Sequence, residues 1–165
     1  MNLSKILTFL LLFNSFELVA GIESVKLEKG IHLKFDNANW DYQYIKMFSS
    51  ITPHVLESKI EKGLKVIVQK ETHGLEKSNQ KSLIEEKCSA ANKFYQDAKQ
   101  GSAKTIEIKN QKVCFIQLAK QEKNTYQIMY PVNFSKSSYD LISFAWNDVD
   151  EKNLKAVSSL VGENL

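Results

Sequence analysis

At 165 residues, 43% of them apolar and 25% charged, the chain has the length and make-up of one soluble domain around one core. All 22 basic residues are lysine, so the planar fork with which arginine grips phosphate is missing; this argues against a reader of nucleic acid, and a biased genome composition explains it equally well. A net charge of +3, with acids and lysines interspersed, points to no acidic partner.

Met1–Gly21 reads as a secretory signal peptide: Lys5 is the charged start, Ile6–Phe13 the apolar run, and Val19-Ala20-Gly21 the small residues for cleavage. The alternative is an uncleaved anchoring tail. The run is too short to span a bilayer, so no membrane span is expected. A lipoprotein site needs a cysteine next, and the residue is Ile22, so no lipid anchor is expected either. The localisation implied is periplasmic or secreted.

Residues 22–165 then read as a single α+β domain. Glu23–Glu28 and Ile31–Phe35 are strands around a Lys29-Gly30 turn, with Ile31, Leu33 and Phe35 alternating against His32 and Lys34. Asp36–Asn39 is a loop and Trp40–Phe48 an aromatic strand. Ser49–Lys62 has no clean period and contains Pro53, so a loop is expected there. Leu64–Glu71 is a strand closed by His73-Gly74. In Ser82–Lys99, Ile84, Cys88, Ala91, Tyr95 and Ala98 recur on one helical face, with Leu83 and Phe94 beside it and polar residues opposite. Ser78 or Ser82 can cap this helix, and Gly101 suits its end.

Thr105–Lys109, Lys112–Lys120, Thr125–Val132 and Tyr139–Asn147 follow as four strands. Asn110-Gln111 and Glu122-Lys123-Asn124 are short enough to be hairpin turns, which favours antiparallel pairing. Pro131 belongs near a strand end or edge. Asp148 or Asp150 caps a last helix, Glu151–Val161, with Leu154, Val157 and Val161 on one face. The fold class expected is α+β: a mainly antiparallel sheet of about six or seven strands, with one long and one short helix packed on it.

The two cysteines are the minimum pair for an oxidising compartment. Cys88 lies on the helix's apolar stripe, and Cys114 shares a strand face with Ile116 and Leu118. A helix packed on that face brings the sulfurs together, so a Cys88–Cys114 disulfide is expected; two free buried thiols are the alternative. There is no C-x-x-C, and the surroundings are apolar rather than electropositive, which is unlike a reactive thiol.

No catalytic, cofactor or metal motif is present: no G-x-S-x-G, no phosphate-cradling glycine cluster, and no ligand spacing among His32, His54, His73 and the cysteines. No cofactor is expected. Trp40, Tyr42 and Tyr44, or Trp146 with Tyr126 and Tyr130, either line a glycan or ligand groove or pack the core. Asn133-Phe134-Ser135 fits a glycosylation sequon, relevant only in a eukaryotic secretory pathway.

Gly30-Ile31-His32-Leu33-Lys34-Phe35 followed by Trp40, the strand Leu64–Glu71, the long helix, the hairpins from Thr105 and the helix after Trp146 together resemble the PsbP-like superfamily, which includes small bacterial periplasmic domains of the DcrB type. The resemblance implies a sheet flanked by helices, no catalytic apparatus, and action by docking to other proteins. The expected function is an exported, non-enzymatic binding or accessory protein whose protein partner is unknown. The alternatives are a periplasmic immunity or inhibitor protein, and an enzyme whose carboxylate–histidine site is assembled by the fold.

Overall fold

The computed structural model describes residues 21–27, 30–44, 54–74, 82–119, 124–147 and 151–165. The signal segment, the tail of the Trp40 strand, the start of the loop expected over 49–62, the second hairpin turn and the capping aspartates before the last helix lie outside these.

Among the described residues, nine strands and two helices follow in chain order: β1 (Ile22–Lys26), β2 (His32–Asp36), β3 (Trp40–Tyr44), β4 (His54–Ser58), β5 (Lys65–Gly74), α1 (Leu83–Asp97), β6 (Gly101–Ile108), β7 (Gln111–Ala119), β8 (Asn124–Val132), β9 (Ser138–Asn147) and α2 (Glu151–Asn164). β1 and β2 form an antiparallel hairpin, and the other seven strands form one antiparallel sheet in the order β3-β4-β5-β9-β8-β7-β6. The fold is α+β, as the order of patterns implied.

β4 corrects the expectation of a loop over 49–62. His54–Ser58 is too short to show a period of two, and Val55 and Leu56 are both buried, one on each face. It is a strand because β3 and β5 both pair with it: the partners, not the local pattern, decide. The first tight turn is one residue earlier than expected. Lys109 and Asn110 both have positive φ (47° and 64°), and Ile108 pairs with Gln111, as in a two-residue type I′ hairpin. Pro131 lies one residue from the end of β8, paired to Leu141 and beyond the last β7 partner, Met129, so its missing N–H costs no ladder bond.

The two faces of the large sheet are covered differently. On one face Trp40, Leu56, Val66, Val68, Val113, Ile128, Phe144 and Trp146 pack under the β1–β2 hairpin (Leu33, Phe35) and α2 (Val157, Leu160, Val161). Alternation sends Cys114 and Ile116 to the other face, where they meet Ile84 and Cys88 of α1 and Ala103 of β6. There the two cysteines are joined, with Cα atoms 5.4 Å apart. α1 packs mainly on β6 and β7, and Ile67, on the same face at β5, is 40% exposed. Phe94 of α1, expected beside the apolar stripe, points outward at 64% exposure.

One glycine is required by close approach, and a second lies tight against a flexible side chain. At Gly101 a Cβ would lie 2.0 Å from the Gln117 carbonyl oxygen, because α1 turns into β6 directly against β7. At Gly162 a Cβ would lie 3.0 Å from the Lys109 side chain. Gly162 therefore sits inside α2, which continues past the expected end at Val161 to Asn164. The Asn164 side chain fastens the helix to the hairpin: Oδ1 accepts the Lys34 N–H (2.7 Å), and Nδ2 donates to the Lys34 carbonyl (2.8 Å) and to that of Leu160 (2.9 Å).

A buried charged pair closes the far end of the α2-side face. Lys70 Nζ lies 3.3 Å from Asp140 Oδ1, and both side chains are under a tenth exposed. Thr72 donates to Asp140 Oδ1 (2.6 Å), and Asn133 Nδ2 donates to Asp140 Oδ2 (3.3 Å). Burial works to raise the Asp140 carboxyl, but these hydrogen bonds and the Lys70 charge hold it below the usual range. The sequon's amide nitrogen is thus engaged with a buried carboxylate.

Candidate functional site

Two turns and one helix build a groove. The β2–β3 turn contributes Asn39 and Trp40, and the β4–β5 turn contributes Ser58, Ile60 and Glu61. α2 supplies Lys152, Lys155, Ala156, Ser159 and Glu163, a spacing that makes one stripe along the helix beside its core-facing stripe. The groove has a volume of about 480 Å³, within the range typical of ligand sites, roughly 300–1,000 Å³.

Its local chemistry is set by the turns. The Ser58 hydroxyl oxygen accepts the N–H groups of Ile60 (3.2 Å) and Glu61 (2.9 Å), so it shapes the turn. Lys59 points the other way, onto Asp41 (3.0 Å) and the Asn37 carbonyl (2.6 Å). Trp40 lines the groove and is otherwise buried. Glu61, Lys152, Lys155 and Glu163 form no ion pair among the described residues.

Glu163 is the most perturbed group here. Burial, and then the Asp36 carboxylate, push its carboxyl up; Lys109 and a backbone hydrogen bond from Asp36 only partly offset this. Its Oε2 is buried with no hydrogen-bond partner. The helix dipole adds to the difficulty: a carboxylate at a C-terminus and lysines near an N-terminus are the unfavourable arrangement, and the last turn of α2 carries no basic residue.

The aromatic residues singled out from the sequence are not one site. Trp40 lines the groove. Tyr42 and Tyr44 continue up the same face of edge strand β3, away from it: Tyr42 stacks between Phe35 and His54, and Tyr44 tilts over His54 at 57% exposure. The Tyr42 hydroxyl and His54 Nδ1 are hydrogen-bonded at 2.7 Å. Burial, then Tyr44, push the Tyr42 phenol up. Trp146 is in the core, stacked on Tyr126 with ring centres 5.9 Å apart, and 6.4 Å from Phe115. Tyr130 is buried beneath the hairpin, where desolvation pushes its phenol up. It borders a second, mainly apolar cavity of about 140 Å³ with Leu27, Ile31 and His32.

The histidines are dispersed. His32 is exposed and bonds Ser24 Oγ (3.1 Å), His54 packs against the tyrosines, and His73 lies 3.3 Å from Glu71 on an open strand, stacked on Tyr139. Among the described residues no three histidine, cysteine or acidic side chains are placed to hold a metal ion, and no helix is long and apolar enough to cross a membrane.

The groove's charged residues were not singled out from the sequence.

The fold is similar to that of a PsbP protein. The match is to the solution structure of cyanobacterial PsbP (CyanoP) from Synechocystis sp. PCC 6803, with a TM-score of 0.47 and 14% identity, covering 88% of this chain and 92% of that one. The sequence itself matches no protein-family model and no curated protein.

Proposed function

We propose that the chain is an exported accessory protein that works by gripping a protein partner and performs no chemistry on it. The observation that carries this reading is the make-up of the α2 groove: a largely buried tryptophan and four side-chain charges without an ion pair among the described residues, with no histidine or cysteine in its lining. Such a surface offers contact area and electrostatic register. Its serine Ser58 is committed to the turn, and no imidazole is present to activate Ser159. The signal-type N-terminus and the Cys88–Cys114 link both fit an oxidising compartment outside the cytoplasm.

The test is site-specific photocrosslinking with the mature chain in its own compartment. A crosslinker replacing Ser159, in the groove, is expected to give one discrete protein adduct; one replacing Lys93, exposed on α1, is not. Absence of a Ser159-dependent adduct would sink the reading. So would turnover in a broad hydrolase panel that disappears on changing one groove residue.

A further inference from the structure

The groove is polar at its two ends in opposite senses. Lys152 and Lys155 stand near the start of α2 and Glu163 in its last turn, with Ala156 and Ser159 between them. Eleven residues of helix place these ends about 16 Å apart. An extended chain rises about 3.3 Å per residue, so roughly five residues cover that span. The opposite wall is Asn39, Trp40, Ile60 and Glu61, which pairs apolar contact with side-chain polar groups.

The geometry points to one occupant: an extended peptide segment of a protein partner, about five residues long, carrying an acidic side chain over Lys152 and Lys155 and a basic one at Glu163. Charge complementarity at both ends carries the argument. Glu163 forms no ion pair among the described residues, and its carboxylate sits beside that of Asp36 at the helix end that repels it. The lysines near the start of α2 also lack an ion-pair partner among the described residues. A basic group arriving at Glu163 offsets the neighbouring Asp36 carboxylate and the helix dipole. An acidic group at the other end does the same for the lysines. Neither end suits a uniformly charged ligand, because one end would then meet its own sign. This inference rests on the protein-contact reading above and adds the chemistry of what is gripped.

The test uses the mature chain and fluorescein-labelled five-residue peptides, acetylated and amidated at their ends. One begins with glutamate and ends with lysine, one has the reverse order, and one carries glutamine at both ends. Both charged orders are needed because strand direction in the groove is free. One charged order is expected to bind, with an anisotropy change that weakens as salt rises. Glu163→Gln and Lys155→Gln are each expected to weaken it about tenfold, the scale of one lost charge contact. Lys93→Gln should leave it unchanged. Glu163→Gln should also raise the melting temperature at pH 7, which shows that lost binding is not lost folding. Failure of both charged orders at millimolar peptide, equal binding of the glutamine peptide, or variants within twofold of wild type would each overturn the inference. A Ser159 crosslink without peptide binding would remove this inference and leave the protein-contact reading. Loss of both would remove both.

Discussion

Replacing Cys88 and Cys114 together by alanine should cost a large part of the stability and loosen α1 first. The bond closes a loop of 26 residues. In the chain-entropy account, that closure is worth about 3.5 kcal/mol at 25 °C. For a domain of this size, each kcal/mol moves the melting temperature by roughly 2–4 °C, so a fall of about 7–14 °C is expected. The effect is local because little else holds the helix: Ile84 and Cys88 meet Ala103, Cys114 and Ile116, and Asn92 Oδ1 accepts the Ala103 N–H at 2.9 Å. The Lys112–Glu85 pair is exposed and adds little. Thermal unfolding gives the magnitude, and amide hydrogen exchange gives the place. α1 amides should lose protection while those of β9, central in the sheet, keep theirs. A melting temperature within 2 °C of wild type, or uniform loss of protection across α1 and β9, would refute the reasoning.

Asp140→Ala strands Lys70 in a buried site and should cost about 3–5 kcal/mol in denaturant unfolding, whereas the double change Lys70→Met with Asp140→Leu should recover most of it; equal losses would contradict this. Gly101→Ala drives a Cβ into the Gln117 carbonyl and should cost about 1–3 kcal/mol by the same assay, while Gly74→Ala, with nothing within 4 Å, serves as the control. The Glu163 carboxyl is raised above its ordinary 4.5 by burial and by Asp36, against Lys109. The folded state therefore holds this proton more tightly. Its stabilising contribution is complete below pH 4.5 and is lost as pH rises through the raised value. The gap by which Glu163→Gln exceeds wild type in melting temperature at pH 7 should close as pH falls towards 4.5. Asp140 is shifted the other way, so its contribution is present above 3.8 and lost as pH falls through its lowered value. A Glu163→Gln gap that stays constant from pH 7 to 4.5 would be wrong for both the burial and the charge argument.

Much of the architecture was legible because it is written in local period. Ile31, Leu33 and Phe35 alternate, so β2 and its buried side could be read directly; Ile84, Cys88 and Ala91 recur at helical spacing, so could α1. Cys114 shares a parity with Ile116, and that parity alone sends its sulfur to the face where α1 packs. β4 was not legible: five residues buried on both faces carry no alternation, and their conformation comes from β3 and β5. The aromatic residues illustrate the same limit. Trp40 and Trp146 look alike in the chain, yet one borders a groove and the other fills the core under the hairpin.

The candidate site lay almost wholly beyond the sequence. Glu61, Lys152, Lys155 and Glu163 read as ordinary solvated charges. Residue spacing could announce strands, helices, an apolar stripe and a cysteine aimed inward, because each depends on neighbours a few positions away. The groove depends on two turns and a helix that are far apart along the chain and meet through the sheet order. That meeting is set by which strands pair and which face the last helix covers, and no pattern within a few residues encodes it.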